Sequence, residues 1–148
     1  MSKKNRTTES VLPPIQITDD EMRRLRTLAK SGMEIFPRVA HFLACELGRA
    51  RVVQDGAELR SVVRMGSRVS YRDERTGGVR DVVLVYPHEA DISHRRISVL
   101  TPVGAALIGL SVGQAIEFQT PGYVQRKLTV LAVSPRDEGL GQHARHSV

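Results

Sequence analysis

The spacing of apolar residues changes once along this chain of 148 residues. Up to about residue 50, apolar side chains recur every three to four positions, which is typical of helices that bury one face. From Val62 onwards the period shifts towards two, which is typical of strands with one buried face. A single change of this kind indicates helices followed by a sheet, so the expected fold class is α+β.

Two short helices are expected in the first part. Thr18 followed three residues later by Glu21 is a capping box, which indicates a helix start, and Gly32 is a plausible stop. Pro37 fits the first position of a second helix. Because only the short segment from Ser31 to Phe36 joins the helices, the sequence predicts an antiparallel helical hairpin.

The second part reads as a small antiparallel sheet packed on one short helix. Thr101 can cap this helix, Pro102 can lie in its first turn, and Gly109 can end it. The expected strands contain alternating or continuous apolar residues between turn residues: Val69 and Tyr71, Val82 to Tyr86 as a central strand, Ile97 to Leu100, and Ile116 with Phe118. In the last strand, Leu128, Val130 and Ala132 are expected on one face, opposite to Thr129, Leu131 and Val133.

Composition excludes several classes of protein. One cysteine allows neither an internal disulfide nor a cysteine-based zinc site, and the absence of Trp argues against a base-stacking platform. The net charge of +6 permits an anionic partner, but the basic residues are spread along the chain with no concentrated stripe. No apolar run is long enough for a signal peptide or a membrane span, so a cytoplasmic protein is expected.

No catalytic or metal-binding motif stands out, and no cofactor or small-molecule substrate is expected. The glycine spacing at Gly104 and Gly109 resembles a phosphate loop, but Leu110 stands where such a loop needs lysine. The remaining candidates fit surface loops, tails or helix packing better than active sites: His88 and His94 beside Glu89 and Asp91, His143 with His146, and Cys45 in the second helix.

One segment carries a resemblance to a known family. Ile97 to Leu110, followed by Val112 to Ile116, resembles the signature of the C-terminal domain of Gre-type transcript cleavage factors. Leu84 to Pro87 and Gly66 to Val69 resemble the matching strand and the start of that domain, and the resemblance covers roughly residues 15 to 134. It implies an FKBP-like shape for the C-terminal domain, and RNA polymerase core as a partner gripped at the rim of its secondary channel.

The helical hairpin then decides the branch of the family. Gre factors carry a long hairpin whose acidic tip helps to hold a catalytic metal, whereas the loop from Ser31 to Pro37 contains one acid, Glu34. The closer resemblance is therefore to the Gre-like branch with a short hairpin, whose name reflects an effect on nucleoside diphosphate kinase. This resemblance implies a regulator, not an enzyme, that occupies the polymerase without stimulating transcript cleavage and competes with Gre factors.

The resemblance also suggests contact residues and boundaries. The expected polymerase contacts are Ser98, Thr101, Pro102, Val103 and Gly104, with Glu34 and Arg38 at the hairpin tip. The expected organisation is a tail over residues 1–14, the hairpin over 15–60, the Gre-like domain over 61–134 and a second tail over 135–148.

Two other functions stay open at this point. The basic charge allows a DNA-binding regulator or a weak DNA contact, which a steep loss of affinity with salt would support. The FKBP-like shape raises prolyl isomerisation, but such active sites are lined by aromatic residues, and aromatics make up only 4% of this chain.

Overall fold

The computed structural model describes residues 12–54, 56–120, 122 and 124–134. It contains three α-helices: α1 (Asp19–Gly32), α2 (Pro37–Arg49) and α3 (Pro102–Leu107). Its strands are β1 (Gln16–Thr18), β2 (Arg51–Val53), β3 (Arg68–Asp73), β4 (Val79–Val85), β5 (Arg96–Ser98), β6 (Ala115–Thr120) and β7 (Val124–Ser134). Short 3₁₀ turns occupy Ala57–Ser61, Pro87–Glu89 and Ile92–His94. The helices come first and the main sheet follows, so the α+β class is confirmed; most of the two expected tails lies outside the described residues.

The two N-terminal helices begin and end where their local signals predict. The side chain of Thr18 accepts a hydrogen bond from the backbone N–H of Glu21 at 3.2 Å, and α1 ends at Gly32. Pro37 is the first residue of α2. With 14 and 13 residues, each helix is about 20 Å long, and each contributes buried residues to one core, among them Leu25 of α1 and Leu43 of α2.

A small parallel pair of strands joins the outer ends of the helices, and the apolar pattern did not predict it. Gln16 of β1 pairs with Arg51 of β2, and Thr18 pairs with Val53. β1 leads directly into α1 and β2 follows α2, so the helix pair acts as the crossover that two parallel strands require. The backbone N–H of Gln16 also donates to the carbonyl of Gly109 at 3.1 Å, which fastens β1 to the loop after α3.

The main sheet has the strand order β5-β4-β3-β7-β6. The pairs β3–β4, β3–β7 and β6–β7 are antiparallel, but β4 and β5 run parallel, with Val83 opposite Arg96. The prediction of a wholly antiparallel sheet is therefore wrong for β5. Residues 86–95 contain two 3₁₀ turns and fold back, so β5 starts level with Val83 and runs in the same direction as β4.

A β-bulge in β7 changes which of its residues face the core. Ser70 lies opposite Ala132, whereas its neighbour Tyr71 lies opposite Val130, so Leu131 is an extra residue. Leu128 and Val130 are buried, as predicted. Ala132 is exposed, so its predicted place on their face is wrong, because the bulge shifts the alternation after Val130.

Two buried carboxylates tie the helices to neighbouring segments. Glu21 accepts a hydrogen bond from the backbone N–H of Met65 at 3.2 Å and lies 3.5 Å from Nε of Arg64. Glu46 is 1% exposed and binds Arg49 through two contacts of 2.6 and 3.0 Å, while Arg49 also donates to the carbonyl of Pro13. Glu21 thus links α1 to the turn before β3, and the Glu46–Arg49 pair links α2 to the segment before β1 through Arg49. One hydrophobic core runs through the helices and the sheet.

Candidate interaction groove

A groove of about 540 Å³ lies between α2 and the hairpin formed by β6 and β7, with the first residue of α3 at its edge. It brings together residues that are far apart in the sequence. Its lining consists of Arg38, Val39, His41, Phe42, Cys45, Pro102, Glu117, Phe118, Gln119, Thr120 and Gln125.

The groove has an apolar interior and a polar edge. Phe118 is 4% exposed, while Val39 and Phe42 of α2 are half-buried against the core. Arg38 and Glu117 are exposed and supply the charges of the lining. Such a surface suits the apolar side chains of a protein segment with charged flanks. Within the described residues, no three His, Cys, Asp or Glu side chains are grouped to hold a metal ion.

The segment from Ser98 to Gly104 forms one hydrogen-bonded turn that starts α3. The carbonyl of Ser98 accepts from the backbone N–H of Thr101 at 3.2 Å and from its hydroxyl at 2.7 Å. The hydroxyl of Thr101 in turn accepts from the backbone N–H of Gly104 at 3.1 Å, which confirms the predicted cap. A Cβ on Gly104 would lie 2.1 Å from the Ser98 oxygen, so glycine is required there.

This turn separates the expected contact residues into two groups. Ser98 and Gly104 are buried, so they shape the turn and offer little surface to a partner. Thr101, Pro102 and Val103 are half-exposed, and Pro102 reaches the groove.

The two residues expected at the hairpin tip also lie on different surfaces. Arg38 lines the groove together with Pro102, whereas Glu34 lies outside it in the exposed turn between α1 and α2. Large apolar side chains surround Glu34 and are widely exposed: Met33 at 42%, Ile35 at 72% and Phe36 at 50%.

Two family models match the chain. "Rnk N-terminus" matches residues 13–53, and "Transcription elongation factor, GreA/GreB, C-term" matches residues 58–135. The regulator of nucleoside diphosphate kinase from Escherichia coli is 37% identical over 131 residues, which cover 88% of this chain and 96% of that protein. The chain belongs to this Gre-type family.

One solved structure and one further relative agree with this assignment. A prokaryotic transcription elongation factor GreA/GreB from Nitrosomonas europaea is 36% identical, covers 83% of this chain with 99% of its own, and superposes with a TM-score of 0.65. The transcription elongation factor GreA from Rhodospirillum rubrum is 42% identical over 74 residues, which are 50% of this chain and 47% of that protein. The predicted resemblance to Gre factors, in the branch of the nucleoside diphosphate kinase regulators, is thus confirmed.

Three acidic residues of this Gre-type chain, Asp19, Asp20 and Glu21, lie in the first turn of α1, about 20 Å from its tip. A cleft of about 680 Å³ at this turn includes Asp19, Asp20, Arg23 and Arg24. Arg23 pairs with both aspartates, and Arg24 lies 3.5 Å from Asp20. Because all four side chains are exposed, these ion pairs contribute little to stability. Each of the two aspartates is nevertheless paired with an arginine.

The loop after β4 holds a serine, a histidine and an aspartate that do not form a catalytic triad. Asp91 accepts from the hydroxyl of Ser93 at 2.7 Å and lies 2.7 Å from Nδ1 of His94. Hydrogen bonds from Ser93, then from His94, lower the pKa of Asp91 to about 2. In a triad the serine and the aspartate contact opposite ring nitrogens of the histidine, whereas here Ser93, at 3.3 Å, and Asp91 both contact Nδ1 of His94. The structure therefore agrees with a polar surface loop.

Sequence reasoning missed most of the groove. The sequence predicts Phe118 in a strand and Cys45 in the second helix, but their meeting in one groove with Phe42 depends on how the β6–β7 hairpin packs beside α2. One signal in the sequence could have indicated a contact surface on α2. Among the exposed positions of this helix, Arg38 is the only charged residue.

Proposed function

We propose that this chain is a non-catalytic transcription regulator that binds RNA polymerase core near its secondary channel and competes there with Gre factors. The observation that carries the proposal is the turn between α1 and α2, in which Glu34 is the one carboxylate. The proposal includes an antiparallel arrangement of the two helices and an FKBP-like C-terminal domain, with the hairpin over residues 15–60 and this domain over 61–134.

The composition of the tip argues against stimulated transcript cleavage. Holding a divalent metal and activating a water molecule needs more than one carboxylate at the reacting centre. Glu34 has Met33, Ile35 and Phe36 as its neighbours, all exposed and apolar. Helices of about 20 Å also give the hairpin a short reach. The expected result is occupancy of the channel entrance without cleavage.

The groove supplies a contact surface for this binding. Pro102 belongs to the Gre-like signature segment and Arg38 lies near the hairpin tip, and both line the same groove. Thr101 and Val103 flank Pro102 and are half-exposed. A partner segment with apolar side chains and an acidic residue would meet Pro102, Phe42 and Arg38 together.

The name of the 37% identical relative, regulator of nucleoside diphosphate kinase, suggests which enzyme this chain affects in the cell. We propose that this chain acts in the cytoplasm and affects the level of that kinase. None of the helices in the described ranges is long and apolar enough to cross a membrane. A weak contact with DNA is compatible with the net charge of +6. The test below measures DNA binding separately from polymerase binding.

The test is displacement of a fluorescent Gre factor from RNA polymerase core by this chain. Pro102→Ala is expected to weaken the competition about tenfold, which equals a loss of about 1.4 kcal/mol. Arg38→Ala is expected to weaken it less and to reduce its dependence on salt. Val79→Ala removes an exposed apolar side chain from β4, outside the groove, and is the matched control that leaves competition unchanged.

The same samples are tested for cleavage of backtracked transcripts, binding to DNA alone and proline isomerisation. Failure to displace the Gre factor would overturn polymerase binding. Transcript cleavage by the chain would overturn the argument from the single carboxylate. Binding to DNA of an affinity similar to that for the polymerase would favour the DNA-binding alternative.

A further inference from the structure

The outward side of α2 differs from that of α1. The exposed residues of α1 include six charged side chains: Asp19, Asp20, Arg23, Arg24, Arg26 and Lys30. The exposed residues of α2 are Pro37, Arg38, His41, Ala44, Cys45 and Gly48, of which Arg38 is charged. A solvated helix face normally carries charges on most of its positions, so this face of α2 is suited to contact with another protein surface.

Two metal-binding side chains converge on this face. His41 and Cys45 are four residues apart on the helix, and Nε2 of His41 lies 3.6 Å from Sγ of Cys45, within hydrogen-bond distance for a thiol and an imidazole. In tetrahedral zinc sites the Zn–S and Zn–N bonds are about 2.3 and 2.05 Å, which places the two donor atoms about 3.6 Å apart. The pair therefore already has the separation that one Zn²⁺ ion requires, and both residues are exposed to solvent.

We propose that His41 and Cys45 form half of a zinc site that a second copy of this chain completes. A closed zinc site needs four ligands; Glu117 lines the same groove, but within the described part of the chain no third His, Cys, Asp or Glu is grouped with this pair to hold a metal ion. Two copies related by a twofold axis supply two cysteines and two histidines, which is a common structural zinc set.

The spacing of residues along α2 fits this arrangement. When two α2 helices run antiparallel about an axis level with residue 43, His41 of one copy faces Cys45 of the other. Arg38 then faces Gly48 of the second copy. A Cβ built on Gly48 meets nothing within 4 Å, so the long side chain of Arg38 has room there. The large and small residues of the face are thus complementary to each other.

The binding step is a proton exchange without redox chemistry. Zn²⁺ binds the thiolate of each Cys45, so each thiol releases its proton to solvent, and each His41 binds as neutral imidazole through Nε2. Zinc affinity should therefore rise with pH.

His41 and Cys45 also line the groove that contains Pro102, so a second copy would cover that groove. Competition with RNA polymerase follows only if the proposed function holds; the zinc site does not depend on it.

The experiment measures the mass of the full chain by light scattering during a zinc titration with a phosphine reductant present. We expect the 16.4 kDa chain to double in mass with one zinc per two chains, and EDTA to reverse the change. Co²⁺ should give a thiolate-to-metal charge-transfer band at the same stoichiometry. His41→Ala and Cys45→Ser should each weaken zinc binding more than about 100-fold, since even outer-shell changes cost 10- to 100-fold.

Two further variants test whether zinc binds at this pair of side chains and not at another histidine, and a third tests the packing between the two copies. His94→Ala removes an exposed histidine outside α2 and should leave zinc binding unchanged, as should the double substitution His143→Ala with His146→Ala. Gly48→Gln is compatible with a helix but fills the space opposite Arg38, so it should weaken dimerisation at least tenfold.

The proposal fails if zinc leaves the chain monomeric, including the case in which one zinc binds each monomer. It fails equally if the dimer persists in His41→Ala, or if it resists EDTA and disappears with reductant, because that dimer would be a disulfide. None of these results bears on displacement of a Gre factor from RNA polymerase without zinc, so the two proposals are tested separately.

Discussion

The close approach of Gly104 to the backbone of Ser98 allows a quantitative prediction. In Gly104→Ala the new Cβ would lie 2.1 Å from the carbonyl oxygen of Ser98 and 2.9 Å from the α-carbon of Val99. These are backbone atoms, so the strain cannot be relieved by rotating a side chain. α3 or the end of β5 must move.

The cost follows from what this movement disturbs. Overpacking of this kind costs about 1–3 kcal/mol. The carbonyl of Ser98 accepts two hydrogen bonds from Thr101, and each is worth about 1 kcal/mol. The higher helix propensity of alanine offsets about 1 kcal/mol of this loss. The free energy of unfolding should therefore fall by about 2–4 kcal/mol.

Urea denaturation followed by circular dichroism measures this change. With a slope of about 2 kcal/mol per molar urea, the midpoint of Gly104→Ala should fall by about 1–2 M. Gly48→Ala is the matched control, because an added Cβ on Gly48 meets nothing within 4 Å, and it should raise stability by up to about 1 kcal/mol. A midpoint for Gly104→Ala at or above that of the unsubstituted chain would refute the steric argument.

Three further predictions follow from named contacts. Thr101→Val removes the cap on the N–H of Gly104 and should lower the free energy of unfolding by about 1 kcal/mol; an unchanged urea midpoint would contradict it. Glu46→Gln leaves Arg49 without its buried carboxylate and should cost about 1–3 kcal/mol, measured in the same way, whereas a gain in stability would mean that the ion pair is unfavourable. The lowered pKa of Asp91, about 2 against an ordinary 3.8, means that the folded state favours its charged form. This stabilisation is complete above about pH 4 and is lost as the pH falls towards 2, so thermal melting of Asp91→Asn should depend less on pH over that range than melting of the unsubstituted chain.

The sequence by itself determined the elements whose signals are local. The cap at Thr18, the proline at position 37 and the cap at Thr101 each act within one helical turn, so the starts of α1, α2 and α3 could be predicted. The alternation of Ile116 and Phe118 likewise predicted β6. The signature segment identified the Gre-type family.

Only the tertiary structure decided the features that depend on distant partners. The parallel direction of β5 follows from how residues 86–95 fold back, and the exposure of Ala132 follows from the bulge at Leu131 opposite β3. The groove exists because Phe118 and Pro102 pack beside Phe42, although more than fifty residues separate them from it in the sequence. Caps and apolar periods are set by neighbours within a few positions, whereas strand direction, register and concave surfaces are set by contacts between segments that the sequence places far apart.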